Sequence, residues 1–115
     1  MANETDPPTI KATKANTKGD THFSAGNYQA SVKNYTHAIN LVPSDYVYYL
    51  NRSKAQAALE EFKEALLDAN SALSLKLVSP DSFLWRGLAY YGLRQFKEAV
   101  KRMRKASKLF LRMRS

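Results

Sequence analysis

The chain has 115 residues, no cysteine and a formal charge of +8, enough for one small domain with no disulfide, zinc–thiolate site or thiol chemistry. Hydrophobic residues make up 44 % and charged residues 24 %, ordinary globular values, and no apolar run approaches the roughly 18–20 residues that cross a bilayer. The charge is uneven: Lys97 to Ser115 holds eight Lys or Arg and one acid, so electrostatic arguments belong to that end.

In chain order, residues 1–10 are polar, contain Pro7-Pro8 and lack apolar periodicity, and so read as a disordered leader. They also lack the pattern of a secretory signal, which predicts an intracellular protein, cytoplasmic or nuclear. Helical patterning begins near Lys11 and runs to about Ser24. Ala25-Gly26-Asn27 marks a turn, and a second helix covers about Tyr28 to Leu41. Pro43-Ser44-Asp45 breaks the chain before a third helix, Tyr46 to about Leu59. Glu60-Glu61 is a short turn, and a fourth helix runs from Phe62 to about Leu75. At Ser79-Pro80-Asp81, Ser79 can cap a helix and Pro80 suits the first helical position. That fifth helix reaches about Gly92, Leu93-Arg94-Gln95 turns, and a sixth runs from Phe96 to near the end.

One stretch occurs twice. Phe62-Lys63-Glu64-Ala65 returns thirty-four residues later as Phe96-Lys97-Glu98-Ala99, and a variant, Tyr28-Gln29-Ala30-Ser31, lies thirty-four residues earlier. A fixed period of about 34 residues is the signature of a stacked helix–turn–helix unit. The units Ala12–Asp45, Tyr46–Ser79 and Pro80–Met113 resemble tetratricopeptide repeats. Gly87, Tyr90, Ala99 and Ala106 in the third unit, Gly19, Tyr35, Ala38 and Pro43 in the first, and Tyr49, Ala65 and Ala72 in the second carry the resemblance. The small residues, Gly87 and Ala99 among them, would let helices approach closely. The resemblance implies an all-α fold: three tetratricopeptide hairpins stacked as a right-handed superhelix over residues 11–115, with repeats at about 12–45, 46–79 and 80–113.

Catalytic chemistry has no foothold in the sequence. The only histidines, His22 and His37, lie in the first unit, and His22 falls at a core-facing place. No glycine-rich phosphate loop exists. Glu60, Glu61, Glu64 and Asp68 fall on a turn and an outer helix face, and read as solvated surface. The chain therefore reads as no enzyme, with no cofactor, metal or small-molecule substrate.

In stacked hairpins of this kind the first helix of each pair lines a concave face. The candidate groove residues are Asn16, Asp20 and Phe23; Leu50, Asn51 and Lys54; and Asp81, Leu84, Trp85, Leu88 and Tyr91. Asn51-Arg52-Ser53 is similar to a segment of co-chaperone members of the family, which grip acidic chaperone tails ending in Glu-Glu-Val-Asp. The resemblance implies a clamp of three basic side chains and two asparagines. Here Asn51 matches, while Asn16, Asp20, Asp81 and Trp85 occupy the other four places, two of them with the opposite charge. The groove is instead apolar and aromatic, which predicts a partner peptide or helix with apolar anchors. A heat-shock chaperone tail is the alternative partner.

The last helix, from Phe96, is basic and amphipathic. Val100, Met103, Ala106 or Ser107, and Phe110 form one stripe; Lys97, Lys101, Arg104, Lys105, Lys108 and Arg112 form another. Repeat arrays generally need a polar terminal cap, so this helix could cap itself, pair with a second copy, or continue into a longer protein. A basic face also suits nucleic acid or an acidic membrane surface.

Overall fold

The computed structural model describes residues 5–76 and 80–114. Among the described residues five helices follow one another: α1 (Pro8–Ser24), α2 (Tyr28–Leu41), α3 (Tyr46–Ala58), α4 (Phe62–Leu75) and α5 (Pro80–Arg114). They form an elongated body of 69 × 30 × 20 Å. No strand occurs among the described residues.

The first helix starts earlier than the leader expectation allowed. Pro8 sits in the first turn of α1, where a missing N–H costs nothing, so Pro8, Thr9 and Ile10 are helical. Asp6, two residues ahead of the helix, is held as well: it accepts from Lys14 Nζ at 3.0 Å. Residues 1–4 of the expected leader, and the Ser79 cap, lie outside the described residues.

Alanine explains how the helices meet. Ala12, Ala38, Ala55, Ala65, Ala69 and Ala72 are fully buried, and with nothing beyond Cβ they let backbones approach and lose no rotamer freedom on burial. Ala12 and Ala15 of α1, Ala38 and Ile39 of α2 and Tyr48 of α3 form one core cluster. Within the first hairpin the Tyr35 ring fills the space a Cβ at Gly19 would need. Its hydroxyl donates to Asp20 Oδ1 at 2.6 Å. Within the second hairpin the buried Ser53 hydroxyl donates to the Ala65 carbonyl at 2.7 Å. Asp45 caps α3, its carboxylate accepting from the Val47 N–H at 3.0 Å, a bond of the kind that typically stabilises by about 1 kcal/mol.

An ion pair joins α3 to α4 within the second hairpin, and its arginine also reaches the first. Arg52 of α3 donates to both Asp68 oxygens, Nε to Oδ2 at 2.6 Å and Nη2 to Oδ1 at 2.7 Å. Its remaining nitrogen donates to Thr36 Oγ1 of α2 at 3.2 Å. The expectation that Asp68 belongs to a solvated face is thus corrected: Asp68 is 5 % exposed, and the guanidinium is what lets a carboxylate sit there. That pair holds Arg52 more firmly protonated than usual.

The expected sixth helix does not form separately. The first two hairpins turn through residues with positive φ, Gly26 (79°) and Glu60 (61°). The corresponding residue thirty-four places on is Arg94, and it is helical, as are Leu93 and Gln95. A left-handed conformation is free for glycine but costs other residues roughly 1–2 kcal/mol, and arginine is a good helix former. So α5 is one helix of 35 residues, about 52 Å long at about 1.5 Å per residue. Its first half packs on α4 and α3. Every described side chain from Arg94 onward is exposed. The close approach expected at Gly87 is absent: nothing lies within 4 Å of where its Cβ would stand. The glycine of α5 under pressure is Gly92, covered by the Phe62 ring.

Candidate binding groove

A cleft of about 610 Å³ opens between α1, α3, the start of α4 and α5. Two register positions build it. Asp20, Lys54 and Leu88 occupy one place in successive units, and Phe23, Ala57 and Tyr91 the next turn of the same face. Of these, Phe23, Lys54, Ala57, Leu88 and Tyr91 line the cleft, joined by Trp85, Phe62 and Phe96. Phe23 is steadied edge-on by Tyr28, with ring centroids 5.3 Å apart. Lys54 Nζ lies 5.6 Å from the centre of the Trp85 ring, a cation–π contact that orients both side chains. Tyr91 is 64 % exposed, so its ring is presented to whatever enters.

The five clamp places differ from one another in what holds them. The Asn51 side-chain amide donates to Asn16 Oδ1 at 2.8 Å, so each satisfies the other across α1 and α3. Asp20 is engaged by Tyr35; burial first, then that hydrogen bond and the negative charge, push the Tyr35 phenol well above its ordinary value. Asp81 is exposed at the start of α5 and does not line the cleft. Trp85 does. Among the cleft-lining residues Lys54 is the cation and Glu60 the carboxylate, so the site carries little net charge.

The structure therefore brings together Phe23, Lys54, Trp85, Leu88 and Tyr91, and leaves Asn16, Asp20, Asn51, Asp81 and Leu84 outside the cleft lining. Leu84 is exposed, whereas Leu50 is buried in the core rather than offered to the groove. Phe62, Gly92, Gln95 and Phe96 also line the cleft, and in the sequence the two phenylalanines stood out only as the openings of the repeated stretch. Their repetition was the available signal, but their exposure to the cleft follows from α5 running straight. The basic residues Lys97, Lys101, Arg104, Lys105, Lys108 and Arg112 are all exposed on the second half of α5. The apolar stripe Val100, Met103, Ala106, Ser107 and Phe110 lies outside the described side chains.

Residues 15–45 match the tetratricopeptide repeat family. The first such domain of Spaghetti (RPAP3), solved with an HSP90 peptide SRMEEVD, superposes with a TM-score of 0.72 at 30 % identity, covering 81 % of this chain and 76 % of that one. The chain belongs to the tetratricopeptide repeat (TPR) family. Its TPR sequence is 41 % identical over 83 residues to a Plasmodium falciparum Hsp70-Hsp90 organising protein, covering 72 % of this chain and 33 % of that protein. It is 38 % identical over 91 residues to the Dictyostelium discoideum protein STIP1 homolog, covering 79 % of this chain and 16 % of that protein. The TPR chain thus spans a third or less of the curated relatives it matches first. Among the described residues no group of acids and histidines could hold a metal ion, and no helix is long and apolar enough to cross a membrane.

Proposed function

We propose that this TPR domain is a protein-interaction adaptor, a binding module rather than an enzyme, that seats a partner's peptide or helix in the cleft between α1, α3 and α5. The convergence of Phe23, Trp85, Leu88 and Tyr91 around Lys54 carries this reading. A half-buried tryptophan and an exposed tyrosine in a concave, largely apolar site are the residues that anchor partners at interfaces. The likeness to Hsp70-Hsp90 organising proteins supports a cytoplasmic setting.

A second reading names the ligand as a chaperone tail, supported by the peptide-bound TPR neighbour. Its carboxylates would not meet a full clamp here. A hydrogen bond to a charged group contributes about 1.5–3 kcal/mol, and Asp20, Asp81 and Trp85 do not supply the missing cations. The methionine and valine of SRMEEVD would supply apolar anchors for the cleft, with Lys54 left for one carboxylate. Binding by this route is weak in charge and depends on aromatic contact.

Trp85 is the only tryptophan, so its emission reports the cleft directly. Titrating SRMEEVD should quench or shift it if the tail is the ligand, with Tyr91→Ala weakening binding at least tenfold, about 1.4 kcal/mol. An unchanged emission ends the tail reading. The adaptor reading rests on affinity capture with wild type against a Trp85→Ala/Tyr91→Ala double variant. Identical sets of captured proteins would mean that the cleft is not the binding surface.

A further inference from the structure

Gly19 in α1, Ser53 in α3 and Gly87 in α5 stand thirty-four residues apart and hold the same place in three successive units. At Gly19 the Tyr35 ring of α2 fills the space beside the helix. At Ser53 the following helix is close enough for the hydroxyl to reach the Ala65 carbonyl. At Gly87 there is open space. Phe83 and Tyr90, one turn to either side on the same face, are 48 % and 55 % exposed. The face that α1 and α3 cover with their next helix is bare on α5.

A segment of suitable sequence lies on the same rod. Phe96-Lys97-Glu98-Ala99 copies the opening of α4, the stretch that lays Ala65 against Ser53. Because Arg94 is helical where Gly26 and Glu60 turn, that segment continues α5, and a straight helix cannot fold onto its own side.

We propose that two copies of the chain exchange these segments: residues 96–113 of each cover the Phe83–Gly87–Tyr90 face of the other, with the two α5 helices antiparallel about a two-fold axis near Arg94. Three observations favour a second copy as the occupant. The antiparallel register that puts Ser53 opposite Ala65 puts Gly87 opposite Ala99, so the same small-residue crossing is recovered between chains. An isologous pair covers both bare faces at once, whereas a head-to-tail pair leaves one open. Charge agrees, because the register brings Asp81 opposite Lys105 and keeps the two basic halves at opposite ends. The Phe83–Gly87–Tyr90 face is distinct from the cleft, which uses Trp85, Leu88 and Tyr91, and of the exchanged segment only Phe96 lines that cleft.

The test is light scattering on the eluting full chain over a wide concentration range. The pair should weigh twice the 13.0 kDa of the chain. Arg94→Gly, which makes the left-handed turn free, should return the mass to that of one chain with helix content kept. Since the sequence has no cysteine, mixing a Gly87→Cys chain with an Ala99→Cys chain under mild oxidation should give a disulfide-linked pair. A wild-type mass of one chain at every concentration would overturn the proposal. So would a pair that forms no 87–99 link, since another face would then be holding it.

Discussion

Replacing Asp68 by asparagine removes one charge and keeps the shape. In the native protein Asp68 accepts two bonds from Arg52, at 2.6 and 2.7 Å, and the two side chains are 7 % and 21 % exposed. The variant leaves the guanidinium half-enclosed beside a neutral amide that can accept only one of the two bonds. Breaking a buried pair from one side costs about 3–5 kcal/mol, because the stranded charge is the expensive part. Arg52 retains some contact with water and its bond to Thr36, so the low end, about 3 kcal/mol, is expected. A chain of this size has a total stability of the order of 6–17 kcal/mol, from about 0.05–0.15 kcal/mol per residue. The loss is therefore a large fraction of it. Urea unfolding followed by circular dichroism at fixed protein concentration measures it, as a lower midpoint with an unchanged slope. The double variant Arg52→Met/Asp68→Leu should recover most of the loss, since no charge is left unpaired. A loss below about 1 kcal/mol for Asp68→Asn would place the pair with ordinary surface bridges and refute the role assigned to it.

Three further expectations come from the same structure. Tyr35 holds its proton more tightly folded than unfolded, so its contribution is complete below the ordinary tyrosine value of about 10 and falls as pH rises beyond it, by at most about 1.4 kcal/mol per pH unit. Chemical denaturation between pH 8 and 11 should show a shallower decline for Tyr35→Phe than for wild type. Gly19→Ala should destabilise, since the overpacking cost of about 1–3 kcal/mol against a ring pinned by Asp20 exceeds the helix-propensity gain of about 1 kcal/mol; a higher melting temperature for this variant would contradict the packing described. Gln56 Oε1 is buried without a hydrogen-bond partner among the described residues. Gln56→Leu should accordingly be neutral or raise stability by about 1 kcal/mol, and a loss in the same urea assay would reveal a partner to that oxygen.

The period of thirty-four and its small residues made the first two hairpins legible, because Gly26 announces a turn and Ala65 or Ala72 can only be a crossing. The third hairpin was not legible in the same way. Its turn position carries Arg94, and periodicity says where a turn belongs without saying whether the residue there will leave the helix. Glu60 shows that a non-glycine can do so, at a cost met by the packing of α3 on α4, whereas every described side chain of α5 from Arg94 onward is exposed. The Asp68 misreading had a different origin. A charged residue in a helical pattern is assigned to water by default, and only the partner sixteen residues upstream, invisible to local spacing, reverses that. In the groove, the aromatic identity of Trp85 and Tyr91 was readable from register. The withdrawal of Asn16, Asn51 and Asp20 into bonds with their own neighbours was not, since each depends on a contact between helices.

The straight course of α5 also separates two electrical environments. Arg112 stands sixteen residues beyond Phe96 at the cleft edge, about 24 Å along the helix axis. Physiological salt screens charges over about 8 Å. A ligand in the cleft of a single chain therefore feels Lys54 and Glu60 but hardly the cations at the far end of the rod. Added salt should change its affinity far less than a net charge of +8 implies.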